Sequence, residues 1–260
     1  MAKSTMGTVD KALSLLRFFS SQTPELGLSE LARLAGFDKT TTLRCLTALE
    51  RNGFVEQDIV SRRYRVGLSP IHLAQTREQS FPVESIIKPH LDDLATSTGE
   101  TAHGTVIAGR NPVTVAISYP NRALYVHVHA SSPLPWHATA SGIAIAAHLP
   151  ETEQNELLDR IELDQFTQRT PTSRAWVKEV WDSCRRLGLA HGKLTFEDDV
   201  IGTAAPMFGQ SGVPIGSIAV AAVATRMTQE QQDKIDTELR TKSKAISAAL
   251  GGDTSTQMGA

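Results

Sequence analysis

Residues 36–54 read "GFDKTTTLRCLTALERNGF". Thr42, Cys45, Leu46 and Leu49 recur there at the spacing of one helical face, which predicts a helix from about Lys39 to Arg51. Asp38 is placed to cap it, and "NG" ends it. The outward side carries Thr40, Thr41, Leu43, Arg44 and Thr47. β-Branched threonine loses rotamer freedom in a helix, so helix propensity alone does not choose three in a first turn. Two readings fit this front. One is an ordinary solvated face. The other is a helix tip that enters a duplex groove, where unpaired N–H groups and the helix dipole draw phosphate. Threonine would then meet base edges or a thymine methyl, and Arg44 would bring its planar fork to guanine or phosphate. Lys39 would add a phosphate contact.

The flanking sequence favours the groove. Val9, Ala12, Leu13, Leu16 and Phe19 predict a helix over 8–21 with Thr8 as its cap. Ser29 is placed to cap a short helix over 29–35, with Leu31, Leu34 and Ala35 inward. "FVEQ" and "RYRV" predict a hairpin around the tip "DIVSR", with Tyr64 and Val66 on one face and Arg63 and Arg65 on the other. Three short helices and a hairpin make a winged helix-turn-helix over residues 5–67, a module that reads double-stranded DNA. Charge agrees: residues 1–67 hold ten Lys/Arg against seven Asp/Glu, and the rest sixteen against twenty-one. The candidate DNA contacts are Ser29, Lys39, Thr40, Thr41, Leu43, Arg44, Thr47, Arg62 and Arg63.

Residues 68–82 predict a linker helix closed by Pro82. Over 83–250 the pattern is α+β. A helix at 83–98 leads to β-rich runs "GETAHGTVIAG", "PVTVAISY" and "ALYVHVHA". An Ala-rich helix follows at 139–148, then helices near 151–160 and 173–187, strands at 203–208 and 215–224, and a closing helix whose Thr228/Gln231 spacing matches a capping box. This suits a sensor-type domain with an antiparallel sheet. The tail 251–260 is expected to be disordered.

With 40% hydrophobic and 21% charged residues, the chain reads as a soluble globular protein. Its longest apolar run, 218–224, is too short to span a bilayer. Arg17 interrupts the first apolar cluster, so a cytoplasmic location without a leader is expected, with Cys45 and Cys184 as buried thiols. No G-x-S-x-G elbow, P-loop or dinucleotide fingerprint occurs, so no catalytic residue and no cofactor is assigned. His127 and His129 alternate on one run and His103 lies on another. Three imidazoles can bind zinc or move protons; they can equally form a polar strand face or line a ligand pocket. No Cys, Asp or Glu stands beside them at ligand spacing, so no metal site is assigned.

Taken together, "VDKALSLLRFF", "LSELARLAGFDKTTTLRCLTALERNGFVEQ" and "RRYRVG" resemble the IclR family of bacterial transcription regulators. "KPHLDDLATSTGET", "LPWHATASGIAIAAHLP", "TAAPMF" and "RMT" continue the resemblance across residues 8–250. It implies a winged-helix reader, a linker helix and a GAF/profilin-like effector-binding domain, assembled as a homodimer or homotetramer on near-palindromic operators. Repression, with catabolic genes as targets, is the expected regulation. The resemblance also implies that a small organic acid sits against the amides of the His137–Gly142 turn, hence at Ala140 and Ser141, with His103, Thr105, His127 and His129 nearby.

The departures from the family are informative. Asp38 replaces a common proline, and Arg62 stands where the hairpin tip usually has glycine; keeping a positive φ there would cost about 1 kcal/mol. Counting back from "TAAP" places Gly192 near a common pocket acid and Gly202 at a frequent cysteine, while Ala219 and Ala221 replace inward serines. Such a pocket is larger and less polar, so an aromatic or otherwise bulky acid gains from burial at ~25 cal/mol per Å². Trp136, where leucine is common, either flanks that ring or packs in the core. Two other functions stay open: an enzyme working from the histidine region, and a domain that serves only as an oligomerisation platform.

Overall fold

The computed structural model describes residues 7–252 apart from 21, 81, 131 and 132. Helical periodicity produces α1 (Thr8–Leu15), α2 (Leu28–Ala35) and α3 (Lys39–Arg51). α1 is shorter than the apolar spacing suggests, because the chain tightens into a 3₁₀ turn at Leu16–Phe18. Two caps differ from expectation. Gly7 and Gly27, not Thr8 and Ser29, hold the N-cap positions. Glu30 supplies the missing acceptor by taking the Gly27 N–H at 2.7 Å, which starts α2 one residue early and puts Ser29 inside its first turn. Leu34 turns outward.

The hairpin strands β2 (Val55–Gln57) and β3 (Tyr64–Val66) are joined by β1 (Glu25–Leu26), giving an antiparallel sheet in the order β1-β3-β2. β1 is too short to show alternation, which is why sequence patterning misses it. Leu15, Leu26, Leu31, Cys45, Leu46, Leu49, Val55 and Tyr64 form the core beneath this sheet and the helices, while Val66 stays exposed. α4 (Ser69–Ser80) follows; most side chains described on it are exposed and none is buried.

The chain divides into two compact units, residues 1–81 and 82–260. The second begins with α5 (Val83–Thr98) and the strands β4 (Thr101–Ala108) and β5 (Asn111–Ser118). Next come α6 (Ala140–Ala147), α7 (Glu151–Arg160) and α8 (Arg174–Leu187). β6 (Ala190–Lys193), β7 (Val200–Phe208) and β8 (Pro214–Val223) precede α9 (Gln229–Ala249). The sheet is antiparallel, in the order β5-β4-β8-β7-β6.

Strand alternation decides what each face meets. Gly104 faces α5 so closely that a Cβ there would stand 2.3 Å from Ile87 Cδ1. His103, on the opposite face, meets α6. α9 packs beside α5, and α8 backs α6. All eight residues of α6 are buried, and its Ala, Gly and Ser side chains allow that close double packing. Thr228 caps α9 as expected, whereas the Gln231 side chain reaches across to Thr98 O at 2.6 Å.

"ALYVHVHA" is not a strand, contrary to expectation. Side chains tether it instead of a backbone ladder. Thr101 Oγ1 donates to Val126 O at 2.7 Å, Tyr119 O–H to Val128 O at 3.1 Å, and Arg226 Nη1 to Leu124 O at 3.1 Å. The same Arg226 grips buried Glu100 through Nε at 2.7 Å and Nη2 at 2.6 Å. β6 falls between the helix expected to 187 and the strand expected from 203, where the sequence pattern predicts no element. At the C-terminus Gly251 bridges to Gly209, and Gly252 N–H donates to Ser247 O at 2.7 Å, so these two belong to the fold. The remainder of the expected disordered tail, and residues 5–6 of the expected first domain, lie outside the described residues. Among the described residues no helix is long and apolar enough to cross a membrane.

Candidate functional sites

The inward stripe of α3 is Thr42, Cys45, Leu46 and Leu49, all buried. Lys39, Thr40, Leu43, Arg44 and Thr47 are exposed and Thr41 half-exposed. The three threonines divide their labour. Asp38 Oδ1 accepts the Thr41 N–H at 2.8 Å, and Asp38 Oδ2 accepts the Thr41 hydroxyl at 2.7 Å. Thr42 Oγ1 donates to Asp38 O at 2.9 Å. Two threonines therefore build the cap, and of the three only the Thr40 hydroxyl has no hydrogen-bond partner among the described residues. These bonds, the Thr41 hydroxyl first, hold the Asp38 carboxyl below the usual carboxylate range.

On the wing, Arg62 adopts φ +57°, the left-handed conformation its glycine-like position requires. Arg63 and Arg65 pair at the surface with acids of the same unit. Arg63 Nη2 donates to Glu25 O and to Glu30 Oε2, each at 2.9 Å. Arg65 Nε bonds Glu56 Oε1 at 2.5 Å and Nη1 lies 3.6 Å from Glu25. Arg63, expected as a DNA contact, is thus committed to holding β3 against α2. Lys39, Arg44 and Arg62 form no ion pair among the described residues. A shallow groove lined by Ser29, Leu43, Gln57, Arg62 and Tyr64 joins the α3 front to the wing.

In the second unit a cavity of about 170 Å³ opens at the start of α6. Its floor holds His103, Ala140, Ser141, Gly192, Gly202, Ala219 and Ala221, and His127 and His129 stand at its exposed rim. Elements distant in sequence meet here because β4, β8, β7 and β6 are neighbours in the sheet. A Cβ on Gly192 would lie 3.2 Å from Ala140 N, and one on Gly202 would lie 3.1 Å from Ala140 Cβ. The two glycines therefore leave open the space in front of the first helical amide. Thr139 Oγ1 accepts the Gly142 N–H at 3.1 Å, while the Ala140 and Ser141 N–H groups have no partner among the described residues. His103 Nε2 lies 3.2 Å from Ser141 Oγ. Burial pushes the His103 pKa down to about 4, so near neutrality this imidazole offers hydrogen bonds and no charge.

Two expected pocket residues lie elsewhere. Thr105 is one pleat further along β4, sealed opposite Ser217, and does not line the cavity. Trp136 packs in the core with Ile143, Leu157 and Trp181, its Nε1 donating to Arg110 O at 3.2 Å. Of its two open roles, the core one is what the fold uses. The cavity also takes residues that sequence reasoning missed: Val126, Val128, Pro133, Leu134, Thr195, Phe196, Glu197 and Val200. Thr195 is fixed there by its hydroxyl, which donates to Ala138 O at 2.6 Å. Among the described residues no group of three His, Cys, Asp or Glu side chains is arranged to hold a metal ion.

Residues 8–58 match the IclR helix-turn-helix domain, and residues 75–248 match the bacterial transcriptional regulator IclR C-terminal domain. The chain is 30% identical to the glycerol operon regulatory protein of Streptomyces griseus, over 95% of each chain. It is similar to a crystal structure of an IclR transcriptional regulator from Silicibacter sp. TM1040, at 34% identity and TM-score 0.90, covering 98% of this chain and all of that one. An IclR homologue from Microbacterium hydrocarbonoxydans, complexed with 4-hydroxybenzoate, shares the fold at 18% identity and TM-score 0.79, covering 94% and 99% of the two chains.

Proposed function

Because this chain belongs to the IclR family of bacterial transcription regulators, we propose that it is a cytoplasmic repressor whose α3 reads duplex DNA and whose α6 cavity binds a single-ring carboxylic acid. Lys39, Thr40, Leu43, Arg44, Thr47 and Arg62 are the DNA contacts in this reading. Ser29 approaches the backbone from the groove beside them, and Thr41 orders the helix tip. The protein works as a homo-oligomer, so that paired heads meet the halves of a near-palindromic operator. Exposed Val9, Leu13, Leu68, Ile71 and Leu73 support such pairing.

One observation carries the sensing half: an apolar cavity that ends on two unpartnered helix-start amides. Amides at a helix N-terminus stabilise a carboxylate, and the dipole adds to them. The volume, about 170 Å³, is close to the roughly 150 Å³ of an apolar cavity that takes benzene. A two- or three-carbon acid would leave most of it unfilled. The 4-hydroxybenzoate complex of the Microbacterium homologue supports a ligand of this size for the shared fold.

An enzyme reading gains the Ser141–His103 contact. It loses on chemistry: His103 Nδ1 has no orienting partner among the described residues, and a pKa of about 4 makes a weak base. We read the pair as ligand-recognising.

Calorimetry with benzoate and with two- and three-carbon acids tests the size argument. Benzoate is expected to bind at least tenfold more tightly, and Gly202→Val to abolish binding by filling the space before Ala140. Tight binding of the small acids with none for benzoate would overturn it. The wing gives a second test. Arg62→Ala should weaken DNA binding and reduce the salt slope by about 1, whereas Arg63→Ala should lower thermal stability and leave the slope unchanged. Equal slopes for the parent and Arg62→Ala would remove the wing from the interface.

A further inference from the structure

The tip of the wing presents two β-branched aliphatic side chains to solvent. Ile59 is 86% exposed and Val60 92%. They do not hang on a loose loop. Asp58 Oδ1 accepts the N–H groups of Val60 at 3.1 Å and Ser61 at 2.7 Å. Arg62 N–H donates to Asp58 O at 3.0 Å, Asp58 N–H to Arg63 O at 2.9 Å, and Gln57 Nε2 to Arg62 O at 2.9 Å. Five hydrogen bonds thus close a turn of six residues and hold Ile59 and Val60 at its apex. The turn even retains left-handed Arg62, where the strain of a side chain is about 1 kcal/mol.

A rigid mount for exposed aliphatic groups needs a partner that rewards them. Charge points to nucleic acid. Asp58, the acid nearest the apex, spends its carboxylate on the turn's own N–H groups, while Arg62 beside it has no acidic partner among the described residues. The groove that Arg62 shares with Leu43 puts the tip on the same surface as the α3 front. A helix lying in the major groove leaves such a hairpin facing the neighbouring minor groove. Apolar side chains entering there unstack a base step and kink the duplex, and a flanking arginine gains from the groove's negative potential.

We propose that Ile59 and Val60 form an apolar wedge that enters the minor groove beside the α3 site and bends the operator, with Arg62 as its electrostatic anchor. The proposal rests on the DNA-binding reading given above and adds a deformation of the duplex to it. Bending makes affinity depend on base steps that no side chain reads by hydrogen bonds, with flexible pyrimidine–purine steps preferred under the tip.

The test uses the full chain and circularly permuted fragments of the DNA flanking its own gene. The parent is expected to bend the site by about 20–90°. The Ile59→Ser/Val60→Ser variant should lose at least half of that bend and about tenfold in affinity, with the parent's salt slope and melting temperature. Ile59→Leu/Val60→Met, which keeps apolar bulk, should restore the bend. Equal bending and affinity for parent and serine variant would overturn the wedge and leave the DNA reading intact. Intact bending with a changed oligomeric state would overturn it too, assigning the pair to a contact between copies. Failure of the parent to bind the fragments would overturn both readings.

Discussion

An Arg226→Ala variant is expected to lose about 3–5 kcal/mol of stability, the cost of leaving a buried carboxylate without its cation. The partner is Glu100, whose side chain is 2% exposed. Two charge-assisted bonds from Arg226 reach it, at 2.7 and 2.6 Å, in the forked geometry that suits a carboxylate. Arg122 is a poor substitute, because its Nη1 lies 3.9 Å away on a half-exposed side chain. The loss also frees the segment around Leu124, which Arg226 tethers through its carbonyl. Val126, His127, Val128 and His129 of that segment line the cavity, so ligand affinity should fall along with stability. Urea denaturation of the full chain measures the first effect and calorimetry with benzoate the second. A double variant, Glu100→Gln/Arg226→Met, should recover much of the stability, since no unpaired charge remains buried. A loss below about 1 kcal/mol in Arg226→Ala would place the pair with ordinary surface ion pairs.

The second large effect concerns DNA. Arg44→Ala is expected to weaken operator binding about tenfold to a hundredfold, as removal of a bidentate base contact does, and to relax preference at one base pair per half-site. Its side chain is exposed on α3 and makes no ion pair among the described residues, so the fold should not notice the change. Lys39→Ala should act differently, weakening binding evenly across sequences and lowering the salt slope by about 1. Thr41→Val separates the cap from the contact: it removes the hydroxyl that Asp38 accepts while keeping the β-branched shape. A stability loss without a specificity change in that variant would assign Thr41 to the cap alone.

The physical reasons that parts of this molecule are legible in its sequence also explain where legibility stops. The inward stripe of α3 is readable because helical periodicity and burial coincide there. The cap of α2 is not, because Glu30 reaches back to a glycine and takes the role expected of the neighbouring serine. The alternation in 123–130 suggests a strand, yet a strand needs a ladder partner, and here hydroxyl and guanidinium groups take the carbonyls. In the cavity, Gly192, Gly202, Ala219 and Ala221 are found by counting along the family resemblance, and the sheet order brings them to one floor. Thr195, Phe196 and Glu197 come from a loop whose path depends on the tertiary bond from Thr195 to Ala138 O, and no local pattern announces it. Thr105 and Trp136 fail for the complementary reason. Each has the right chemistry beside the pocket, but Thr105 sits one pleat too far along β4 and Trp136 packs into the core.

One titration tests most directly whether a ligand in the α6 cavity governs a helix tip in a DNA groove. Fluorescence anisotropy would follow the full chain binding labelled duplex from the flank of its own gene, with and without saturating benzoate. The expected result is tight, salt-dependent binding that benzoate shifts about fivefold to 150-fold, with Arg44→Ala crippled and Gly202→Val bound but deaf to the acid. Binding that is identical in the parent and Arg44→Ala, or that benzoate shifts equally in the parent and Gly202→Val, would contradict the account.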